Sequence, residues 1–284
     1  MEYYRCYNYS VNVTPILTIF VTAAVAGLGA LLTAQQEQLA HACVVIQELT
    51  ADKPHLTRGD ACATPLSPAS TYKIPHALIA LETGVVALNS VEKWDGRKYA
   101  RQPKWNEDHT VISALRPSVL WLFQRLAPRV GAERASEWLE KLDYGNRNTS
   151  GPIEQYWING RLRISAPQQV AFLTRFFRAA LPVQRRYVDA VREGLRQQTG
   201  TVENSLGVHR LKGDWRGTTL FSKTGATTTE QYRVSWLVGL LQSGGREYVF
   251  ATAVWKQGGE VETLDAAHLS ADTFIEQRLL PRGQ

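Results

Sequence analysis

Apolar residues are distributed unevenly along this chain, and the pattern changes character three times. Ile16 to Leu32 is almost unbroken hydrophobic sequence, interrupted only by Thr and Gly. It is short for a membrane span and suits the apolar region of an export signal ending near Ala34, so residues 1–34 are predicted to be a signal peptide. Because Arg5 is offset by Glu2, an uncleaved anchor stays open as the alternative. Beyond it, Cys43 to Leu49 reads as a strand and Pro54 to Ala63 as a turn and return. A helical period follows from Ser70, with Ile74, Ala77, Leu78 and Leu81 on one face and Gly84 as the stop.

The middle of the chain is predicted to be mostly helical. Lys93 to His109 is polar, punctuated by Trp and irregular, after which Ser113 to Ala127 has helical spacing with Ser118 in its middle. Ala132 to Leu142 forms another helix, closed by the turn signature Tyr144-Gly145-Asn146. Pro167 to Leu181 is helical, with Ser165 as its N-cap. In the last third, Leu206–Leu211, Trp215–Lys223, Arg233–Gln242 and Tyr248–Trp255 alternate or run apolar between Gly-rich turns, as successive antiparallel strands do. Asp265 to Leu280 ends the pattern as an amphipathic helix. The expected class is therefore α+β: an antiparallel sheet flanked by helices, with an inserted all-helical lobe over roughly 90–190 of a domain spanning 35–284.

Composition narrows this only slightly. With 284 residues, 44% hydrophobic and 20% charged, the chain can bury a substantial core. The net charge of +6 is spread without a basic run, which argues against nucleic acid and for mild attraction of small anions. Of three cysteines, Cys6 would leave with the signal, and Cys43 and Cys62 remain. In an oxidising compartment these read as one disulfide, with two buried thiols as the alternative. No His stands at zinc-ligand spacing to either, so no metal is expected.

Candidate chemistry sits at Ser70-Thr71-Tyr72-Lys73. A helix start places the amine of Lys73 on the face of the Ser70 hydroxyl, and free N–H groups at that end favour a developing oxyanion. Serine is a nucleophile only when a neighbouring base takes its proton. Lys73 can be that base if burial holds it neutral. Lowering its pKa from about 10.4 to near 7 costs about 4–5 kcal/mol. Late in the chain Lys223-Thr224-Gly225 offers a cation, a hydroxyl and a residue that lets a substrate backbone approach as an added strand.

Taken in order, Pro68-Ala-Ser70-Thr-Tyr-Lys73-Ile-Pro75, Trp94-Asp95-Gly96, Ser118-Val119-Leu120, Tyr144-Gly145-Asn146, Trp157 within Tyr-Trp-Ile-Asn-Gly, Leu162-Arg163-Ile164-Ser165 and Lys223-Thr224-Gly225-Ala226 resemble the blocks of class D, oxacillinase-type serine β-lactamases. The resemblance implies the β-lactamase/transpeptidase-like fold, β-lactam hydrolysis and a periplasmic location. It implies that Ser70 is the nucleophile and that Lys73 is carboxylated by carbon dioxide or bicarbonate, the only cofactor expected, with the Trp157 indole holding the carbamate. Ser118 would relay a proton to the leaving nitrogen. Lys223, Thr224, Gly225 and Ala226 would bind substrate, and Val119, Leu120, Tyr144 and Asn146 would form walls.

Three departures stand out: Leu120 where Val is usual, Ala226 where a bulky residue is common, and Ala266-Ala267-His268 where a carboxylate-binding Arg is usual. Thr224, Lys223 or Arg233 could take the last role. A β-lactam sensor domain that stays acylated is the rival reading, and the oligomeric state is left between monomer and homodimer. If the signal is cleaved, no stable membrane partner is expected.

Overall fold

The computed structural model describes residues 40–59 and 61–281; the predicted signal lies outside them. Its centre is a five-stranded antiparallel sheet in the order β2-β1-β7-β6-β5. The strands are β1 (His41–Glu48), β2 (Leu56–Arg58), β5 (Thr219–Thr228), β6 (Arg233–Ser243) and β7 (Arg246–Lys256), and a separate hairpin joins β3 (Thr201–Asn204) to β4 (Gly207–Arg210). Among the described residues, six α-helices complete it: α1 (Lys73–Glu82), α2 (Leu120–Val130), α3 (Ala132–Lys141), α4 (Ala166–Phe177), α5 (Arg185–Gly194) and α6 (Asp265–Glu276).

Strands β6 and β7 are apolar at nearly every position because both faces of the sheet are covered. The two-residue period sorts their side chains. Val44, Ile46, Leu237, Leu241 and Phe250 pack with Phe274 and the alanines of α6 in one core. Cys43, Val45, Trp236, Val238 and Val249 face the other core, built on α1, α2 and α4. The predicted Cys43–Cys62 disulfide is formed, tying β1 to the loop that leads to Ser70.

The α+β class and the main strands follow the sequence pattern, but several elements do not. The helix expected over Ser113–Ala127 starts only at Leu120. Pro117 disfavours helical geometry at Arg116, and Ser118 takes φ 56° in the turn that precedes α2, not a mid-helix position. The run Leu206–Leu211 contributes β4, which pairs with β3 in the separate hairpin and not with the main sheet. The strand expected from Trp215 begins at Thr219 and runs on to Thr228. Helix α5 was not anticipated: its sequence is dominated by Arg and other polar residues, and only Val188 and Val191 are buried. The last helix stops at Glu276, where Arg278 adopts φ 58° and Leu279 N–H returns to Phe274 O, a left-handed helix stop. At α4 the reciprocal Ser165 and Gln168 bonds complete the expected N-cap as a capping box.

Candidate active site

Ser70 lies in a short 3-10 turn, Ala69–Tyr72, that runs straight into α1. Ala69 immediately before it holds φ 48°, a left-handed conformation costly for a residue with a Cβ and of the kind that collects at functional sites. One turn on, Lys73 is wholly buried, and its Nζ lies 2.7 Å from Ser70 Oγ. No carboxylate is paired with it among the described residues, and Nζ lies 5.5 Å from the centre of the Phe123 ring. Burial, and then the charge of Lys223, push the Lys73 amine well below the ordinary lysine range. A neutral amine beside a serine hydroxyl is what nucleophile activation requires.

A second cluster faces the first. Lys223 on β5, also fully buried, donates to Ser118 Oγ at 3.1 Å and to the Thr224 carbonyl at 2.9 Å. Burial lowers its pKa to about 7, although Glu203 pulls the other way. Ser118 reaches Lys223 because its positive φ turns it out of the helical path, and the preceding Pro117 carbonyl is pinned at 2.9 Å by the Trp105 indole. Gly225 is needed where β5 passes the nucleophile: a Cβ there would lie 3.0 Å from Pro68 O and 3.0 Å from Thr71 Cγ2. Ala226 next to it is exposed on the edge strand.

Trp157 is fully buried, stacked at a tilt on Tyr72 and edge-on to His76, and its indole N–H has no hydrogen-bond partner among the described residues. A buried donor left without an acceptor is uncommon and marks a place where one could be supplied.

The remaining expected residues divide. Val119 is buried and Leu120, at the start of α2, is partly exposed. Tyr144 is not an open wall: it is wholly buried, 5.9 Å behind the Tyr72 ring. Asn146 is used as a fastener, accepting from Arg163 N–H and donating to Arg161 O, each at 2.9 Å. Of the three anchors considered for a substrate carboxylate, Lys223 and Thr224 lie in the second cluster, whereas Arg233 is ion-paired with Glu260. Ala266 and Ala267 are buried in the α6 core.

Ser67 is the residue that the sequence reading passed over. Its hydroxyl lies 3.0 Å from Trp157 O and 2.6 Å from Ile158 O as donor, and accepts from Ala69 N–H. Its N–H donates to Tyr232 Oη, and its carbonyl accepts from the Trp236 indole. One serine thus joins the nucleophile turn, the Trp157 loop and β6. No local pattern reveals this, because those partners lie 90 to 169 positions away.

Comparison with known proteins agrees with this geometry. The penicillin binding protein transpeptidase domain family matches residues 30–274. The probable β-lactamase YbxI of Bacillus subtilis (strain 168) is 34% identical over 199 residues, covering 70% of this chain and 68% of that protein. The regulatory protein BlaR1 of Bacillus licheniformis is 30% identical over 190 residues, 66% of this chain but only 29% of its own length. Among solved structures, the class D β-lactamase YbXI from Nostoc superposes with a TM-score of 0.72 at 27% identity, covering 85% of this chain and 95% of that one. With Ser70 and Lys73 together at the start of α1 and Lys223, Thr224 and Gly225 facing them from β5, the chain belongs to the penicillin-binding transpeptidase-domain family and, within it, to the class D serine β-lactamases.

Proposed function

We propose that this protein hydrolyses β-lactam antibiotics through an acyl-enzyme on Ser70, after export to an oxidising compartment. The observation that carries the reading is the fully buried Lys73 amine 2.7 Å from the Ser70 hydroxyl with no acidic partner among the described residues. Held neutral, residue 73 takes the Ser70 proton as Oγ attacks the lactam carbonyl carbon. The N–H groups of Ser70 and Ala226 are placed in sequence to receive the oxyanion. As the ring C–N bond breaks, the Ser118 hydroxyl gives its proton to the leaving nitrogen and regains one from Lys223, 3.1 Å away. Lys223 and Thr224 also attract the substrate carboxylate. Before the second half of the reaction, the proton that residue 73 took from Ser70 passes on to the deprotonated Lys223, which frees residue 73; it then takes a proton from the water that attacks the ester and gives it to Ser70 Oγ as Ser70 leaves.

Carboxylation of Lys73 would supply an anionic base in place of the amine; burial favours the neutral nitrogen that carbon dioxide needs, and the unpartnered Trp157 N–H is the donor on hand. The Cys43–Cys62 disulfide supports the proposed exported, periplasmic location.

The test is to incubate the purified protein with a chromogenic cephalosporin and a penicillin, with and without bicarbonate, following turnover and intact mass together. Sustained turnover that bicarbonate restores is the expected result. A stoichiometric, long-lived adduct without turnover would overturn hydrolysis and favour a receptor role of the kind the partial likeness to BlaR1 raises.

A further inference from the structure

His76 is the buried group near Ser70 and Lys73 that the proposed reaction does not use. It stands one turn beyond Lys73 on α1 and is 1% exposed. Its ring is enclosed by aromatic neighbours: edge-on to the Trp157 indole with centroids 5.3 Å apart, and tilted against Tyr72 and Phe123 at 5.4 Å each. Phe123 is the same ring that lies under Lys73 Nζ, so the amine and the imidazole share one wall.

Among the described residues, neither ring nitrogen of His76 has a hydrogen-bond partner, and neither does the Trp157 indole nitrogen packed against it. A neutral imidazole carries one N–H donor and one acceptor nitrogen, and buried groups of this kind are almost always paired. An apolar ring would fill the same aromatic pocket without leaving polar atoms stranded, so packing does not explain a histidine here. Two orphaned groups packed against each other, one of them a helical turn beyond Lys73, mark a place for an acceptor-rich ligand on that amine. Burial, and then the proximity of Lys73, hold the imidazole neutral by lowering its pKa to about 3, which leaves its N–H free to donate without adding a charge beside the lysine.

We infer that His76 is a positioning residue for the carboxylated form of Lys73, its ring N–H acting with the Trp157 indole N–H to hold the added carboxylate group. This rests on the reading of residue 73 as a carboxylation site. The bond formed is between Nζ and the carbon of carbon dioxide, with one proton released from the nitrogen; His76 donates a hydrogen bond and transfers nothing.

The experiment titrates the purified protein with 13C-bicarbonate and measures occupancy of the carbamate carbon by NMR, for the parent, for His76→Phe and for His76→Asn. His76→Phe keeps an aromatic ring against Trp157, Tyr72 and Phe123 and removes both nitrogens, while His76→Asn restores a donor. The expected result is that His76→Phe needs about tenfold more bicarbonate for half occupancy, equivalent to roughly 1.4 kcal/mol, and that His76→Asn recovers part of the loss. Equal bicarbonate affinity in the parent and His76→Phe overturns the inference while leaving carboxylation intact. No carbamate signal in the parent at saturating bicarbonate overturns carboxylation itself, and the inference with it. Should His76→Phe fail to fold, the 15N signals of the parent imidazole decide: they shift as the carbamate forms, and unchanged signals refute the role.

Discussion

Replacing Ser67 by Ala removes one oxygen and no carbon, so its effect isolates the hydrogen bonds that Oγ makes. That oxygen donates toward Ile158 O at 2.6 Å and Trp157 O at 3.0 Å, and accepts from Ala69 N–H at 3.3 Å. Among the described residues, neither carbonyl accepts from another backbone N–H. The contacts to Trp157 and Ala69 are buried and that to Ile158 is partly so. Losing a typical hydrogen bond costs about 1 kcal/mol, and each buried group left without a partner costs roughly 1–3 kcal/mol. With one weak and one shared bond in the set, the total is about 2–4 kcal/mol. In a chain of this size that corresponds to a fall in Tm of roughly 4–16 °C. Urea unfolding followed by fluorescence measures it directly: the midpoint should fall with the slope unchanged, because the surface exposed on unfolding is the same. Acrylamide quenching of Trp emission should rise in the folded variant as the Trp157 loop loosens. A loss below about 0.5 kcal/mol would refute the assignment of Ser67 as the residue that fixes this loop to the nucleophile turn.

Three further outcomes are expected. Trp157→Phe, which removes the orphaned N–H and keeps a ring, should slow deacylation at least tenfold more than acylation in single-turnover measurements, a difference of about 1.4 kcal/mol; equal slowing of both would count against its proposed contact. Lys223, with its pKa lowered to about 7, is charged below that pH and neutral above it, so KM for carboxylate-bearing substrates should rise between pH 7 and 9 in initial-rate assays, and a flat profile would show that another cation binds the carboxylate. His76 stays neutral in the fold down to about pH 3 while the unfolded chain takes up a proton near pH 6.5, so its contribution to stability is lost as pH falls through that interval. The full loss is about 5 kcal/mol by pH 3, and urea midpoints of the parent should therefore fall more steeply with acid than those of His76→Phe.

The chemistry was legible in the sequence wherever it depended on local spacing. Ser70 and Lys73 are one helical turn apart, and that alone brings their side chains together. Lys223, Thr224 and Gly225 are consecutive on a strand, so their common position followed from the motif. What was hidden depends on distant contacts or on one departure from periodicity. Ser118 has helical neighbours on both sides, and only Pro117 hints at the turn that sends its hydroxyl to Lys223. Tyr144 lies in a motif shared with a site wall, yet the chain folds it behind Tyr72. The role of His76 was masked by an apolar helix in which a buried histidine reads as filler, and α5 was masked by its many arginines, since only Val188 and Val191 mark its inner face.

The central claim is that Lys73 is uncharged at neutral pH and so can accept the Ser70 proton. Its amine can be titrated in buffer free of carbon dioxide by following the Lys73 Cε and Nζ signals with selectively labelled lysine, using Lys73→Met to assign them. A midpoint well below the ordinary lysine value of 10.5 is the predicted result; titration at that ordinary value would contradict it and remove the base from the reaction.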